Sequence, residues 1–268
     1  MFRKIGIIGT GNMGSAIIRS VRAGHPDLPL LLSDAVPEKA QALAESLKGA
    51  ETAENTRLAQ SCDLIFLAVK PQMMKALLSS LHPVLSARKD RFVLASMAAG
   101  LSCETLRAMA GFDVPLIRMM PNIPCQVGEG VVQYCGCGTT EQELSDFALL
   151  LRAAGLVTPM QEGLIDAASA VSGCGPAYVY LFIEALADGG VACGLPRKTA
   201  QDFAAQTVLG AAKMVLKSGV HPAELKDRVC SPAGTTIEGV AALYEGAFSA
   251  DVMRAVTEAY RKTLEMKG

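Results

Sequence analysis

The sequence predicts an α/β domain on a mostly parallel sheet, followed by an all-helical domain, and three observations carry that prediction. From residue 3 to about 160, short runs of Val, Ile and Leu alternate with helix-like periodic segments, the pattern of a parallel sheet with crossover helices. After residue 165 the strand signals stop and the chain reads as helices punctuated by Gly and Pro. Gly9-x-Gly11-x-x-Gly14 follows the first apolar run and precedes an amphipathic segment carrying Ile17, Ile18 and Val21, the context a dinucleotide fingerprint requires.

Taken in order, strands are expected near 4 to 8, 30 to 33, 51 to 53, 63 to 69, 92 to 96, 114 to 119, 130 to 134 and 156 to 160, with helices between most of them. Pro37 and Pro71 stand where first-turn prolines belong, and Thr139-Thr140-Glu141-Gln142-Glu143 opens a helix with acids at the positive end of its dipole. The later helices are expected near 176 to 192, 197 to 217, 222 to 229, 236 to 246 and 249 to 266. They are broken by Gly194-Leu195-Pro196, by Gly219 to Pro222 and by Ser231 to Gly234. A boundary near 163 gives domains 1–162 and 163–268.

A chain of 268 residues fits one large or two ordinary domains. Only 19% of it is charged, with a formal charge of −1, so there is no basic field to hold nucleic acid or an anionic membrane, and a small molecule is the expected partner. Uninterrupted apolar runs such as 64–69 are strand-sized, against the roughly 20 residues of a membrane span, so a soluble protein is expected. A strand already at residue 4 leaves no room for a removable signal peptide, which points to the cytoplasm. The eight cysteines are scattered without a Cys-x-x-Cys, so no metal is expected and reduced thiols are. The helical half carries Ala, Gly and Val on more than one face, as in Ala204-Ala205 and Gly210-Ala211-Ala212, which calls for a partner subunit and a homo-oligomer.

At the dinucleotide end, the glycines permit a tight turn, let the backbone approach a pyrophosphate and set a helix N-terminus beneath it. Ser33-Asp34 closes the second strand where ribose selectivity is decided. Asp34 suits a free 2′-hydroxyl, or N-caps the helix after Val36-Pro37, and Ser33 suits a 2′-phosphate, which leaves NADH and NADPH both open. Ala68-Val69-Lys70-Pro71 and Met97-Ala98-Ala99-Gly100 close strands on the side where a nicotinamide lies; Lys70 reads first as a solvated lysine.

At the other end, Thr235-Thr236-Ile237-Glu238 has the pattern of a capping box. Ser231-Pro232-Ala233-Gly234 ahead of it leaves N–H groups free at a helix N-terminus, a site suited to a carboxylate, with Ser231 and the threonines as hydroxyl donors. His25, His82 and His221 each precede a proline, which places them in loops or at element ends and leaves no histidine acid for the reaction. The substrate is then one that needs little acid catalysis. A cyclic imine is such a substrate, and the Thr236 hydroxyl is placed to hold its ring nitrogen. Ser172-Gly173-Cys174-Gly175-Pro176-Ala177-Tyr178 puts Pro176 at the first position of a helix, where the glycines serve close packing, an active-site wall, or both.

Together, Gly9 to Gly14, Ala68-Val69-Lys70-Pro71-Gln72, Arg118-Met119-Met120-Pro121-Asn122, and Ser172 to Tyr178 with Ser231 to Thr236 resemble the pyrroline-5-carboxylate reductases, over residues 5 to about 240. The resemblance implies a Rossmann domain, a helical domain that interlocks with a second subunit, often within decamers, and reduction of L-1-pyrroline-5-carboxylate to L-proline by NADPH or NADH. It implies cofactor contacts at Ile8, Gly9, Thr10, Gly11, Asn12 and Met13, with Gly14 completing the fingerprint, and at Ser33, Asn55, Ala68, Val69, Lys70, Pro71, Met97, Ala98 and Ala99. Thr236 and Ser231 become the catalytic candidates, and Thr235, Gly234 and Glu162 the substrate-binding ones. Cys174 stands where a serine is common and Ala233 where a glycine is. Two rival classes remain: another imine or carbonyl reductase, and a non-catalytic dinucleotide sensor. A 3-hydroxyacid dehydrogenase is disfavoured because the helix continuing Tyr178-Val179-Tyr180-Leu181-Phe182 lacks the lysine that such enzymes carry.

Overall fold

A computed structural model describes residues 2–265. It divides into two compact units, one running to Gly173 and resuming at Tyr260, the other Cys174–Ala259.

The first unit is an eight-stranded sheet with helices on both faces. Its chain order is β1 (Ile5–Ile8), α1 (Asn12–Gly24), β2 (Leu30–Ser33), α2 (Pro37–Glu45), β3 (Ala50–Thr52), α3 (Asn55–Ser61), β4 (Leu64–Leu67), α4 (Pro71–Leu85) and β5 (Val93–Ser96). There follow α5 (Cys103–Ala110), β6 (Leu116–Pro121), β7 (Gly130–Cys137), α6 (Glu141–Leu151), β8 (Gly155–Pro159) and α7 (Glu162–Ser172). The strands lie in the order β3-β2-β1-β4-β5-β6-β7-β8, all parallel to their neighbours except β7 against β6. Only one short 3-10 turn, Ile123–Val127, separates β6 from β7, too little chain for the crossover that a parallel pair needs.

Burial on both faces explains the unbroken apolar strands. Ile5, Ile7, Leu32 and Phe66 pack with Ile17, Ile18 and Val21 of α1 on one face, while Leu31, Ile65 and Leu67 pack with Leu58, Leu78 and Leu106 on the other. Gly6 suits this close packing, since a Cβ there would stand 2.1 Å from Leu58 Cδ2 and force that buried side chain to shift. Pro37 and Pro71 open α2 and α4, and α6 starts at a complete Thr140–Glu143 capping box.

α7 is the one helix that the periodicity misses. Its inward face is Ile165, Asp166 and Ala170, so an acid replaces part of the apolar stripe that betrays a helix. The acid is matched: Arg118 Nη2 of β6 lies 2.6 Å from Asp166 Oδ1, with both side chains almost fully buried. Four residues on, Asn122 Nδ2 donates to Ser172 O at 2.9 Å, while its Oδ1 accepts from Val131 N at 2.9 Å. The Arg118 to Asn122 segment thus pins α7 at both ends, and the first unit closes after Gly173, whereas the sequence places the boundary after 162.

The second unit contains α8 (Gly175–Ala192), α9 (Arg197–Ser218), α10 (Pro222–Val229), α11 (Thr235–Glu245) and most of α12 (Phe248–Glu265). α8 begins one residue earlier than expected, and residue 266 of the last expected helix lies outside the described residues. Ala187, Ala200 and Ala204, with Ile183 and Val191, form the joint between α8 and α9. Tyr178 donates its hydroxyl to Ala255 O at 3.2 Å, and Phe182 meets Phe248 at 5.8 Å between ring centroids. Large apolar side chains remain outside, among them Leu181, Phe203, Leu216 and Met253. One helical run, Glu162–Ala192, is long and apolar enough by length and composition to cross a membrane, with mean hydropathy 1.3. Counting uninterrupted apolar residues overlooks it, because Gly, Ser and Asp punctuate the run.

Removing one partner of a buried ion pair strands the other charge, at a cost of about 3–5 kcal/mol. Asp166→Ala is therefore expected to lower the unfolding free energy of the first unit by roughly that amount. Urea titration followed by circular dichroism measures it; a loss below about 1 kcal/mol would show that Arg118 is held by other means.

Candidate active site

The cradle begins where β1 ends. Gly9 adopts φ +101°, and a Cβ on it would stand 2.4 Å from Ala68 O at the end of β4; a Cβ on Gly14 would stand 2.0 Å from Gly9 O. Gly11 differs, because a Cβ there meets nothing within 4 Å. The first and third glycines close the turn against its neighbours, and the second leaves bare backbone facing open space. Gly11 is also the N-cap of α1 and offers no capping side chain, so the first N–H groups of that helix stay available to an anion.

A groove of about 1610 Å³ opens here, bordered by Ile8, Gly9, Gly11, Ser33, Asn55 and the segment Ala68, Val69 and Lys70. Asn55 Oδ1 is buried without a hydrogen-bond partner among the described residues, an acceptor waiting for a hydroxyl. An uncapped helix N-terminus, an exposed stretch of backbone and an orphaned acceptor fit a dinucleotide. Asn12 and Met13 start α1, Lys70 is the N-cap of α4 and Pro71 its first residue. Of the turn after β5, Met97 packs against the core, Ala98 is buried and Ala99 is exposed.

Asp34 is not the N-cap that one reading of the sequence expects. The N-cap of α2 is Val36, and Asp34 instead grips the glycine loop. Its Oδ2 accepts from Thr10 N at 2.6 Å and from Thr10 Oγ1 at 3.0 Å, and its Oδ1 accepts from Val36 N at 3.0 Å. Thr10, largely buried, serves to hold the loop. Ser33 is also buried, and its carbonyl accepts from Gly9 N at 2.8 Å. Burial alone would raise the Asp34 pKa, but the hydrogen bonds from Val36 and Thr10 and the charge of Lys39 outweigh it and hold the carboxyl below its usual range.

In the second unit, Ser231 to Gly234 form a tight turn closed by Gly234 N donating to Ser231 O at 3.0 Å. The capping-box expectation fails: Gly234 is the N-cap of α11, Thr235 is already its first residue, and no side chain caps the helix. The sequence pattern fits a helix starting one residue later, whereas the turn brings the backbone into helical geometry at Thr235. Ser231, Thr235 and Thr236 are exposed, and the threonine hydroxyls have no hydrogen bond among the described residues. A Cβ on Gly234 would stand 2.3 Å from Ser231 Oγ and 3.1 Å from Ser231 O, so a larger residue there would push the Ser231 hydroxyl aside. Ala233 sits at φ +56°, in the left-handed region that glycine occupies at least cost.

Glu162 is the first residue of α7, in the first unit, where Oε1 accepts from Cys103 N at 2.6 Å and stands 3.5 Å from Arg118 Nη1. The histidines are structural. His25 ends α1, His221 caps α10 by accepting from Ala223 N, and His82, in the last turn of α4, bonds Ala110 O at 2.8 Å. Sequence reasoning missed two constellations. The Thr10–Asp34 grip spans 24 positions, and the cluster of Cys103, Cys135 and Glu162 joins three separate elements.

The parallel sheet, the glycine turn and the groove at the strand ends define the class: a dinucleotide-binding oxidoreductase of the Rossmann type. Residues 4–100 match a family model described as NADP oxidoreductase coenzyme F420-dependent, and residues 162–266 match one described as pyrroline-5-carboxylate reductase dimerisation. The pyrroline-5-carboxylate reductases of Escherichia coli and Arabidopsis thaliana are each 42% identical to the chain, which is covered to 98% in both alignments; 98% and 95% of those proteins are covered. A pyrroline carboxylate reductase of Plasmodium falciparum, solved with NADP bound, superposes with TM-score 0.85 at 33% identity, covering 99% of this chain and 98% of that one. The chain belongs to the pyrroline-5-carboxylate reductase family.

Asp34→Ala is expected to raise KM for the cofactor severalfold with little change in kcat, because the loop loses its two hydrogen bonds from Thr10 while the reacting groups stay in place. A lowered carboxyl pKa in the fold stabilises above the unfolded value of about 3.9 and is lost as pH falls through the folded value, so the grip holds across neutral pH. Cofactor affinity in Asp34→Ala should accordingly fall by the same factor at pH 6 and pH 8. For the second unit, Ala233→Gly is expected to be neutral or stabilising by up to about 1 kcal/mol, as relief of left-handed strain competes with glycine's unfolded-state entropy. Thermal melts decide its sign.

Proposed function

We propose that this chain reduces L-1-pyrroline-5-carboxylate to L-proline with NADPH or NADH, the last step of proline biosynthesis. The observation that carries the reading is the uncapped first turn of α11 beside the exposed Ser231, Thr235 and Thr236 hydroxyls, in a chain 42% identical end to end to reductases of that name. Free N–H groups at a helix N-terminus suit the substrate carboxylate, with Thr235 beside them and the Ser231 to Gly234 turn setting their direction. The Thr236 hydroxyl hydrogen-bonds the ring nitrogen and fixes which face of the ring is presented. Gly9 to Gly14 and the start of α1 hold the pyrophosphate, and Asn55 accepts from a hydroxyl of the cofactor. The bound nicotinamide supplies the hydride. A protonated cyclic imine is already an electrophile, which agrees with three histidines engaged in structural hydrogen bonds or helix ends.

The proposed assembly is a homodimer through residues 163–268, which the matched dimerisation model supports, and a decamer of such dimers is the larger assembly proposed. The outward apolar side chains of α8 and α9 and the matched dimerisation model favour a protein partner over lipid for the run Glu162–Ala192. Eight free thiols suit a soluble protein of the cytoplasm.

Absorbance at the nicotinamide band, with pyrroline-5-carboxylate and NADH or NADPH in parallel, tests the reaction. Turnover yielding proline with either cofactor is the expected outcome and ranks the two. Cofactor binding without turnover would favour another imine or carbonyl reductase or a dinucleotide sensor. Thr236→Ala is expected to lower kcat and kcat/KM together, by about 10- to 100-fold, with cofactor Kd unchanged. A weakened cofactor Kd instead would remove Thr236 from the substrate.

A further inference from the structure

Among the described residues of the first unit, two thiols and a carboxylate meet outside the lining of the cofactor groove. Cys103 is the first residue of α5, Cys135 lies on β7 in register with Arg118 of β6, and their Sγ atoms are 3.8 Å apart. Both sulfurs and a Glu162 carboxylate oxygen lie within 4.8 Å of one another. None of the three borders the cofactor groove.

We propose that Cys103 and Cys135 form a hydroperoxide-reactive dithiol, in which Cys135 attacks the oxidant and Cys103 resolves the product to an intramolecular disulfide.

The pair is asymmetric in the sense this chemistry needs. Cys103 is buried and Cys135 partly exposed, so an oxidant arriving from solvent meets Cys135. The hydrogen bond from the Cys103 thiol lowers the pKa of Cys135 against the effects of burial and of Glu162, and the Arg118 guanidinium adds to the lowering. The same hydrogen bond, with burial and the charge of Glu162, keeps Cys103 protonated until it is needed. In the first step the Cys135 thiolate attacks one peroxide oxygen, the O–O bond breaks, and the departing hydroxide takes up a proton to leave as water. Cys135 is then a sulfenic acid. In the second step the Cys103 sulfur attacks the Cys135 sulfur and the S–O bond breaks; the Cys103 proton, passed through the Glu162 carboxylate, leaves with that hydroxide as a second water. Two thiols give up two electrons and two protons, and the peroxide is reduced to two waters. Closing the sulfurs from 3.8 Å to a bond of about 2 Å is a movement of side-chain size. A metal ion fits the cluster less well, because Glu162 Oε1 already accepts from Cys103 N and faces the Arg118 guanidinium.

The other cysteines serve as internal controls. Cys62 and Cys125 are buried, and burial pushes the Cys62 thiol up to about 11. The experiment treats the purified protein with hydrogen peroxide, blocks free thiols, reduces, labels with a second alkylating reagent and maps the peptides by mass. Cys103 and Cys135 are expected to disappear together into one reducible cross-linked peptide, roughly tenfold faster than Cys62 or Cys125 are lost. Cys103→Ser should leave Cys135 as a sulfenic acid trapped by dimedone, and Cys135→Ser should spare Cys103. Full alkylation of both after peroxide, or a cross-link from Cys135 to Cys137, would overturn the proposal. So would a stoichiometric metal ion, released on denaturation, that shields both thiols in the untreated protein.

Discussion

The site depends first on how closely the turn after β1 approaches its neighbours. Ala68 O, Gly9 O and the Asp34 carboxylate crowd the backbone from Gly9 to Gly14 so tightly that two glycines have no room for a Cβ. The grip runs between the ends of two strands that are paired in register, Ile8 opposite Ser33, so the loop inherits the rigidity of the sheet. Its donors are backbone N–H groups and one hydroxyl, and its acceptor is a single carboxylate. The turn is thereby fixed before any ligand arrives, and the ordering cost of binding falls on the cofactor alone.

Far along the same sheet, a second constraint works in the opposite direction. Arg118 and Asp166 place a buried charge pair between the sheet and α7, and Asn122 adds two hydrogen bonds to backbone four positions later. Such groups contribute little net free energy, yet they are hard to satisfy in any other arrangement, so they select one position for α7. The sequence motif from Arg118 to Asn122, noticed for its likeness to a family, is thus first of all a docking strip for a helix.

What could be read from the chain follows the same division. Strands buried on both faces announce themselves as apolar runs, and all eight appear within a few residues of their expected places. Pro37, Pro71 and the Thr140–Glu143 box mark helix starts because their effects are local. Features that require a distant partner stayed hidden. α7 has an acid on its inner face that Arg118, 48 positions away, meets, and Asp34 reads as a helix cap because nothing local points to Thr10. Thr235 matched a capping pattern whose helix begins one residue too early to use it. For the substrate loop, residue types and helix geometry were legible, and Ala233 at φ +56° gives a physical reason for glycine to be common there in the family.

The joint between α8 and α9 rests on Ala187, Ala200 and Ala204, and no residue of α10, α11 or α12 is buried. Three methyl groups bring about 2–3 kcal/mol, a few per cent of the roughly 100 kcal/mol of burial that an ordinary domain core supplies. If the proposed dimer covers the outward apolar side chains, the folding equilibrium of that unit contains the concentration of the chain itself, and mass action joins temperature and denaturant as a variable of state. Dilution then unfolds what heat alone would leave standing.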